Sequence, residues 1–149
     1  MINSYLLFLL SGRLFGMKLL GAIEILPWRA SKPVPLSYSY VEGLIDYRGT
    51  IYPVFNLGQR LGLSRRGPIG FATGHGAPTE AGRSIILLEE KKIPFGISVD
   101  SVVKMAKIEE PAPDAGKPDD IDEKYVKGIT YDDDQEVLIL DFERLLHAG

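Results

Sequence analysis

The chain repeats itself. Sliding it by 80 residues lays Phe15-Gly16-Met17 on Phe95-Gly96-Ile97 and sets the apolar start at Tyr5 over that at Ile85. A shift of 85 lays Val41-Glu42-Gly43-Leu44 on Val126-Lys127-Gly128-Ile129, with Leu61 over Leu146. The identities are few, yet their order and the apolar pattern agree across both matches, as expected of a duplicated unit. Such a chain folds as two related subdomains.

The period inside each unit is two. Phe15, Met17 and Leu19 alternate with Gly16 and Lys18, and Phe95, Ile97 and Val99 alternate with Gly96, Ser98 and Asp100. Alternation puts one apolar row on a core face and predicts half-buried strands. Further strand-like runs are Tyr5–Leu10, Ile51–Leu57, Ile85–Leu88 and Val137–Phe142. Only Asn56–Leu63 and Asp141–His147 read as helical, and both are short. The expectation is a mainly β chain. Each half is too small for an immunoglobulin-like sandwich but suits a small closed barrel, which also removes exposed edges. Two barrels side by side leave a groove, a usual place to receive another molecule.

Two stretches depart from the rest. Ser64–Arg83 carries five Gly and two Pro and reads as a connector. Glu109–Glu123 gathers seven carboxylates and three prolines with Lys117 as its only cation, and reads as a solvated loop. The regular Asp-x-Asp-x-Asp-Gly spacing of a calcium loop is missing there. The organisation expected is one domain over 1–149, with subdomain 1 at 1–63, a connector at 64–83 and subdomain 2 at 84–149. Exchange of strands between the subdomains stays open.

Composition removes several functions. With no Cys, the chain has no thiolate zinc site, Fe–S cluster or thiol nucleophile. Lys plus Arg number 17 against 20 Asp plus Glu, a net charge of −3, which argues against binding to nucleic acid phosphate. The apolar start Tyr5–Leu10 has no basic residue before it, unlike a signal peptide, and no charge-free run approaches the ~18 residues of a membrane span. A cytoplasmic location is expected, with any membrane association made through a partner. His75 lies in the Gly-rich connector and His147 near the end, and no nucleophile elbow, Walker loop or dinucleotide fingerprint occurs. The chain is expected to be no enzyme and to hold no metal or other cofactor.

The residues that point to a function lie between Val41 and Leu57. Gly49 after Arg48 suits a tight strand-to-strand turn with φ > 0, which lifts the arginine onto an exposed tip. Its guanidinium fork suits a carboxylate on a partner or Glu24 in the same subdomain. The plainer alternative is a solvated ion pair worth about 0 to 1 kcal/mol. Gly43 reads as a turn or a close backbone approach, and Pro53 inside a strand as an edge or a bulge. Tyr47 is either an exposed anchor or buried under a neighbouring barrel. Asp132-Asp133-Asp134, where the repeat places the counterpart of Arg48, reads as a solvated turn.

This run resembles the signature of the CheW family of bacterial chemotaxis coupling proteins, with matches at Gly43, Arg48, Gly49, Ile51, Pro53, Val54 and Leu57. Phe15-Gly16 followed by Ile23-Glu24-Ile25, and Phe95-Gly96-Ile97 with Val99-Asp100 and Val102, extend the likeness over residues 5–146. Asp46-Tyr47 stands where the family pattern has Asn-Leu, and Asn56 where it has Asp. The resemblance implies two intertwined SH3-like five-stranded β-barrels with a pseudo-twofold repeat and short helices. It further implies a non-enzymatic adaptor that bridges a histidine autokinase, through a CheA-like regulatory domain, and the cytoplasmic tip of a chemoreceptor. The partner-binding candidates are Glu24, Gly43, Tyr47, Arg48 and Gly49, together with Ser84, Ile86, Val99 and Val102 on the second subdomain's side of the receptor groove. The alternative output is a signalling array that controls surface motility or another response in place of flagellar rotation.

Overall fold

The computed structural model describes residues 2–18, 22–35, 38–63, 82–112 and 116–147. Ten strands run through them: β1 (Ile2–Leu10), β2 (Arg13–Lys18), β3 (Ala22–Pro27), β4 (Val41–Tyr47), β5 (Thr50–Asn56), β6 (Ser84–Glu90), β7 (Ile93–Val99), β8 (Ser101–Glu109), β9 (Val126–Asp132) and β10 (Gln135–Leu140). Helix α1 (Leu57–Arg60) follows β5, a 3-10 turn (Glu123–Tyr125) precedes β9, and α2 (Phe142–His147) follows β10.

The strands form two five-stranded sheets, ordered β8-β1-β2-β10-β9 and β3-β6-β7-β5-β4. Each half of the chain contributes to both. The β1–β2 hairpin lies among strands of the C-terminal half, and the β6–β7 hairpin among strands of the N-terminal half. The duplication survives in the register: Gly16 pairs with Ile139 where the parallel strands β2 and β10 meet, and Gly96 pairs with Val54 where β7 and β5 meet. These are the same pair under the offsets of 80 and 85. The hairpin turns match too. Ser11-Gly12 and Lys91-Lys92 have positive φ throughout, as do Arg48-Gly49 and Asp133-Asp134, the conformation that tight two-residue hairpins favour.

Hydrogen bonds and ion pairs link the outer strands of each sheet. In the first barrel, Thr130 Oγ1 donates to the Glu109 carbonyl at 2.8 Å and Lys104 Nζ meets Asp132 Oδ2 at 2.8 Å, so β8 reaches β9. In the second, the segment after β3 runs onto β4, where Lys32 and Leu44 exchange two backbone bonds of 2.8 Å. A Cβ on Gly43 would stand 2.3 Å from the Lys32 carbonyl oxygen, so the close approach expected at this glycine is present.

Three apolar clusters follow from the alternation. Tyr5, Leu7, Leu14, Ile108, Val137 and Ile139 fill the first barrel, and Ile45, Tyr52, Val54, Ile85 and Leu87 fill the second. The intervening positions, Leu6, Phe8, Phe15, Met17, Ile86, Phe95, Ile97, Val99 and Leu138 among them, join in a third cluster drawn from both sheets. Strands β1, β2, β6, β7 and β10 are therefore buried on both faces along much of their length.

Three sequence expectations change. The alternating strands β2 and β7 are buried on both faces and not half-buried, because each lies inside its sheet between a barrel interior and the central cluster. Pro53 lies in β5, an interior strand, not on an edge, and the nearby bulge is on the facing strand β4, between Val41 and Gly43 next to its partner Leu44. Pro53 sits one residue before the register with β7 begins at Val54, so its missing donor removes no bond of that parallel ladder. The acidic stretch is not wholly a solvated loop, because Ile121 is buried in the central cluster and Asp122 caps the 3-10 turn through the Lys124 N–H at 3.1 Å. The connector at 64–81 and His75 lie outside the described residues, as do 113–115.

Candidate functional site

The β4–β5 turn presents the site. Asp46 Oδ1 accepts from the Gly49 N–H at 3.1 Å and closes the turn, the role that Asp, Asn or Ser plays at its first position. Arg48 at φ +53° and Gly49 at φ +84° make the reversal. The Arg48 side chain is exposed, and its guanidinium carbon stands 5.1 Å from the Tyr47 ring centroid. Tyr47 is half-buried and packs on the second barrel's core, so it is a platform with one accessible face. No ion pair joins Glu24 to Arg48. Glu24 sits half-buried on edge strand β3, paired in register with Leu87. The exposed Ile51, opposite Asp46 in the ladder, adds an apolar neighbour to the turn.

The remaining candidates gather elsewhere. Ser84 pairs with Val99, and the register places both beside Ser98 and Asn56, about 20 Å along the sheet from the Arg48 turn. Ile86 and Val99 are fully buried in the cluster between the barrels, so their side chains support this surface from beneath and do not face solvent. Val102 is half-buried at the start of β8, against the same cluster. Apart from Val102, on β8 of the first barrel, the sequence-selected residues thus belong to the second barrel, with the Arg48 turn at one end and Ser84 and Val99 at the other.

At the Ser84 end lies a polar cluster that sequence reasoning did not single out. Glu42 occupies the bulge between Val41 and Gly43. Its carboxylate accepts from the Ser98 hydroxyl, from Asn56 Nδ2 at 3.2 Å and from Trp28 Nε1 at 3.4 Å, while Arg83 Nη2 stands 3.7 Å away. Arg83 also donates to Ser98 Oγ at 3.2 Å and lies 5.8 Å from the Trp28 ring centroid. The available signals were the chain's only tryptophan and a Glu beside a bulge-forming Gly, neither of which carries a spacing. Asn56 explains its own departure from the family pattern: it donates to Glu42, and its Oδ1 caps α1 by accepting from the Gln59 N–H at 2.9 Å.

Among the described residues, no group of three or more acidic or histidine side chains is placed to hold a metal ion, and no helix is long and apolar enough to cross a membrane. Two exchanged barrels carrying an exposed charged turn and a hydrogen-bonded, largely buried polar cluster have the make-up of a protein-interaction module. The model of the CheW-like domain family matches residues 4–149. The chain is 32% identical over 114 residues to a chemotaxis protein CheW of Thermotoga maritima, covering 76% of this chain and 68% of that one. It is 27% identical over 146 residues to a chemotaxis protein CheW of Treponema pallidum, covering 95% and 80%. The crystal structure of the scaffolding protein TtCheW from Thermoanaerobacter tengcongensis superposes with a TM-score of 0.79 at 26% identity, over 99% of this chain and 94% of that one. The chain belongs to the CheW-like family and has its fold of two SH3-like subdomains.

Proposed function

We propose that this chain is a cytoplasmic, non-enzymatic adaptor that couples a chemoreceptor's cytoplasmic tip to the regulatory domain of a histidine autokinase. It meets the membrane only through the receptor and acts by holding two partners in one geometry. The observation that supports this most is the exposed Arg48 on a closed turn, backed by the Tyr47 ring, within a chain that the family model matches over residues 4–149. Among the described residues Arg48 has no ion-pair partner, so its guanidinium fork is available to a carboxylate on a partner. The test is calorimetric titration of wild type, Arg48→Ala and Arg48→Glu with the kinase regulatory domain and with a receptor-tip fragment. Arg48→Ala is expected to lose about 1 to 3 kcal/mol with one partner, and Arg48→Glu more, since it sets like charges together. Circular dichroism melts check that the fold is kept. Unchanged affinity for both partners removes Arg48 from the site.

A further inference from the structure

We propose that Arg60 is a positioning residue that fixes the two barrels in one mutual orientation. Its guanidinium carbon lies 4.6 Å from the Tyr40 ring centroid and 5.0 Å from that of Tyr125, and its Nη2 donates to the Leu145 carbonyl at 3.3 Å. Tyr40 precedes β4 and Arg60 ends α1, so both belong to the second barrel. Tyr125 precedes β9 and Leu145 lies on α2, so both belong to the first.

These residues are related by the duplication. Tyr40 and Tyr125 are equivalent under the 85-residue offset, and each offers its carbonyl to the equivalent N–H: Asn56 to Tyr40 at 2.7 Å, Asp141 to Tyr125 at 2.9 Å. Leu145 is the counterpart of Arg60 itself. One arginine therefore touches both copies of a tyrosine and the backbone of its own equivalent, where the two repeats meet. Its counterpart is apolar, so no second guanidinium competes for the same place.

Packing alone does not close this junction. A partly open pocket of about 50 Å³ lies at this junction, lined by Arg60 with Tyr40, Phe55, Phe95, Phe142 and Leu145. The central apolar cluster joins the two sheets beneath, but at this pocket the facing side chains of the two halves do not close on one another. Directional contacts then carry orientation that close packing leaves unset. A planar guanidinium, which attracts aromatic faces and donates in a fixed fork, suits that task better than an ammonium. The functional consequence rests on the adaptor reading above: a protein that couples two partners through its two ends transmits coupling only as far as those ends hold one angle.

The chain has no Cys, so cysteines introduced at the exposed, repeat-equivalent positions Thr50 and Gln135 take a pair of spin labels on the full chain. Pulsed electron resonance is expected to give one narrow distance distribution, kept in Tyr125→Phe and broadened about twofold or split in Arg60→Met and Tyr125→Leu. Should Arg60→Met fail to fold, the contrast between Tyr125→Leu and Tyr125→Phe decides. In a second arm, Arg60→Met is expected to bind the kinase regulatory domain and the receptor-tip fragment singly as wild type does, while assembly of all three weakens about fivefold or more. Unchanged distributions in both variants overturn the clamp whatever the partners do. Broadening with three-way assembly intact, or with single-partner binding lost equally, overturns the positioning role. A wild-type chain that binds neither partner overturns the adaptor reading, while the distances still decide the clamp.

Discussion

Asn56 donates from Nδ2 to the Glu42 carboxylate at 3.2 Å while its Oδ1 accepts from the Gln59 N–H, so one amide joins the bulge of β4 to the start of α1. Aspartate, the residue of the family pattern, keeps the cap but replaces the donor with a second carboxylate beside Glu42. Asn56→Asp is therefore expected to cost about 1 to 3 kcal/mol at pH 7. Urea unfolding measures it. Equal midpoints at pH 7 would show that the Glu42 cluster absorbs the charge.

Gly43 and Gly49 both have positive φ, +152° and +84°, but for different reasons. A Cβ at Gly43 strikes the Lys32 carbonyl oxygen at 2.3 Å, whereas one at Gly49 meets nothing within 4 Å. Gly49→Ala is expected to cost about 1 kcal/mol, from backbone strain alone. Gly43→Ala adds a clash with the segment after β3, a strap that bonds to β4 through Lys32 and Leu44, and should cost about 3 kcal/mol or more. Thermal melts of the two variants rank them, and a Gly43→Ala melt as mild as that of Gly49→Ala counts against the strap as a rigid element.

Alternation revealed β2 and β7, and short apolar runs revealed β1, β5, β6 and β10; these six are the interior strands of the two sheets. The edges β3, β4, β8 and β9 gave no such signal: burial does alternate along β4 and β9, but Gly43, Gly128 and Thr130 occupy buried positions where an apolar row would be read. Val103, Lys104 and Met105 on β8 are exposed in succession, which breaks any period of two. The repeat was legible because Gly16 and Gly96 each face a crowded barrel interior, where a Cβ would come within 2.9 Å of Ile139 and 3.2 Å of Leu87 respectively. The turn at Arg48 was legible because its chemistry is local. The Glu42 cluster was not, since it joins Trp28, Asn56, Arg83 and Ser98 from separate segments, and no local spacing encodes that meeting.

Alkaline conditions should weaken the fold through two protons. Burial raises the pKa of the Tyr5 hydroxyl above the ordinary tyrosine value, against the opposing hydrogen bond of Asn3. The hydrogen bond to Asp132, reinforced by its charge, raises that of Lys104. A folded-state pKa above the unfolded value means stability that is fully present below about pH 10 and lost as pH rises through the folded values. Tyr5→Phe removes the first contribution and Asp132→Asn the second. Each variant is expected to show a shallower loss of melting temperature between about pH 9 and 11 than wild type. Parallel pH profiles for all three proteins would assign the alkaline limb to other groups.

Tyr47 stands where the family pattern has leucine, and the ring contributes both burial and a surface for Arg48. Its packing against the second barrel's core is apolar, so Tyr47→Leu keeps most of the buried area and should leave the melting temperature within a few degrees. Tyr47→Ala opens a cavity and should cost about 2 to 4 kcal/mol. The guanidinium 5.1 Å from the ring centroid loses its platform in both. A cation–π contact at an exposed site is worth about 0.5 to 1 kcal/mol, so partner affinity in Tyr47→Leu should fall about two- to fivefold where Arg48 is the anchor. The same substitution made in an Arg48→Ala background should then have no further effect, because the ring has no cation left to orient. That double-mutant cycle, read by titration with the kinase regulatory domain and the receptor tip, separates the ring's two roles. Additive losses would make Tyr47 a contact in its own right and not a support for Arg48.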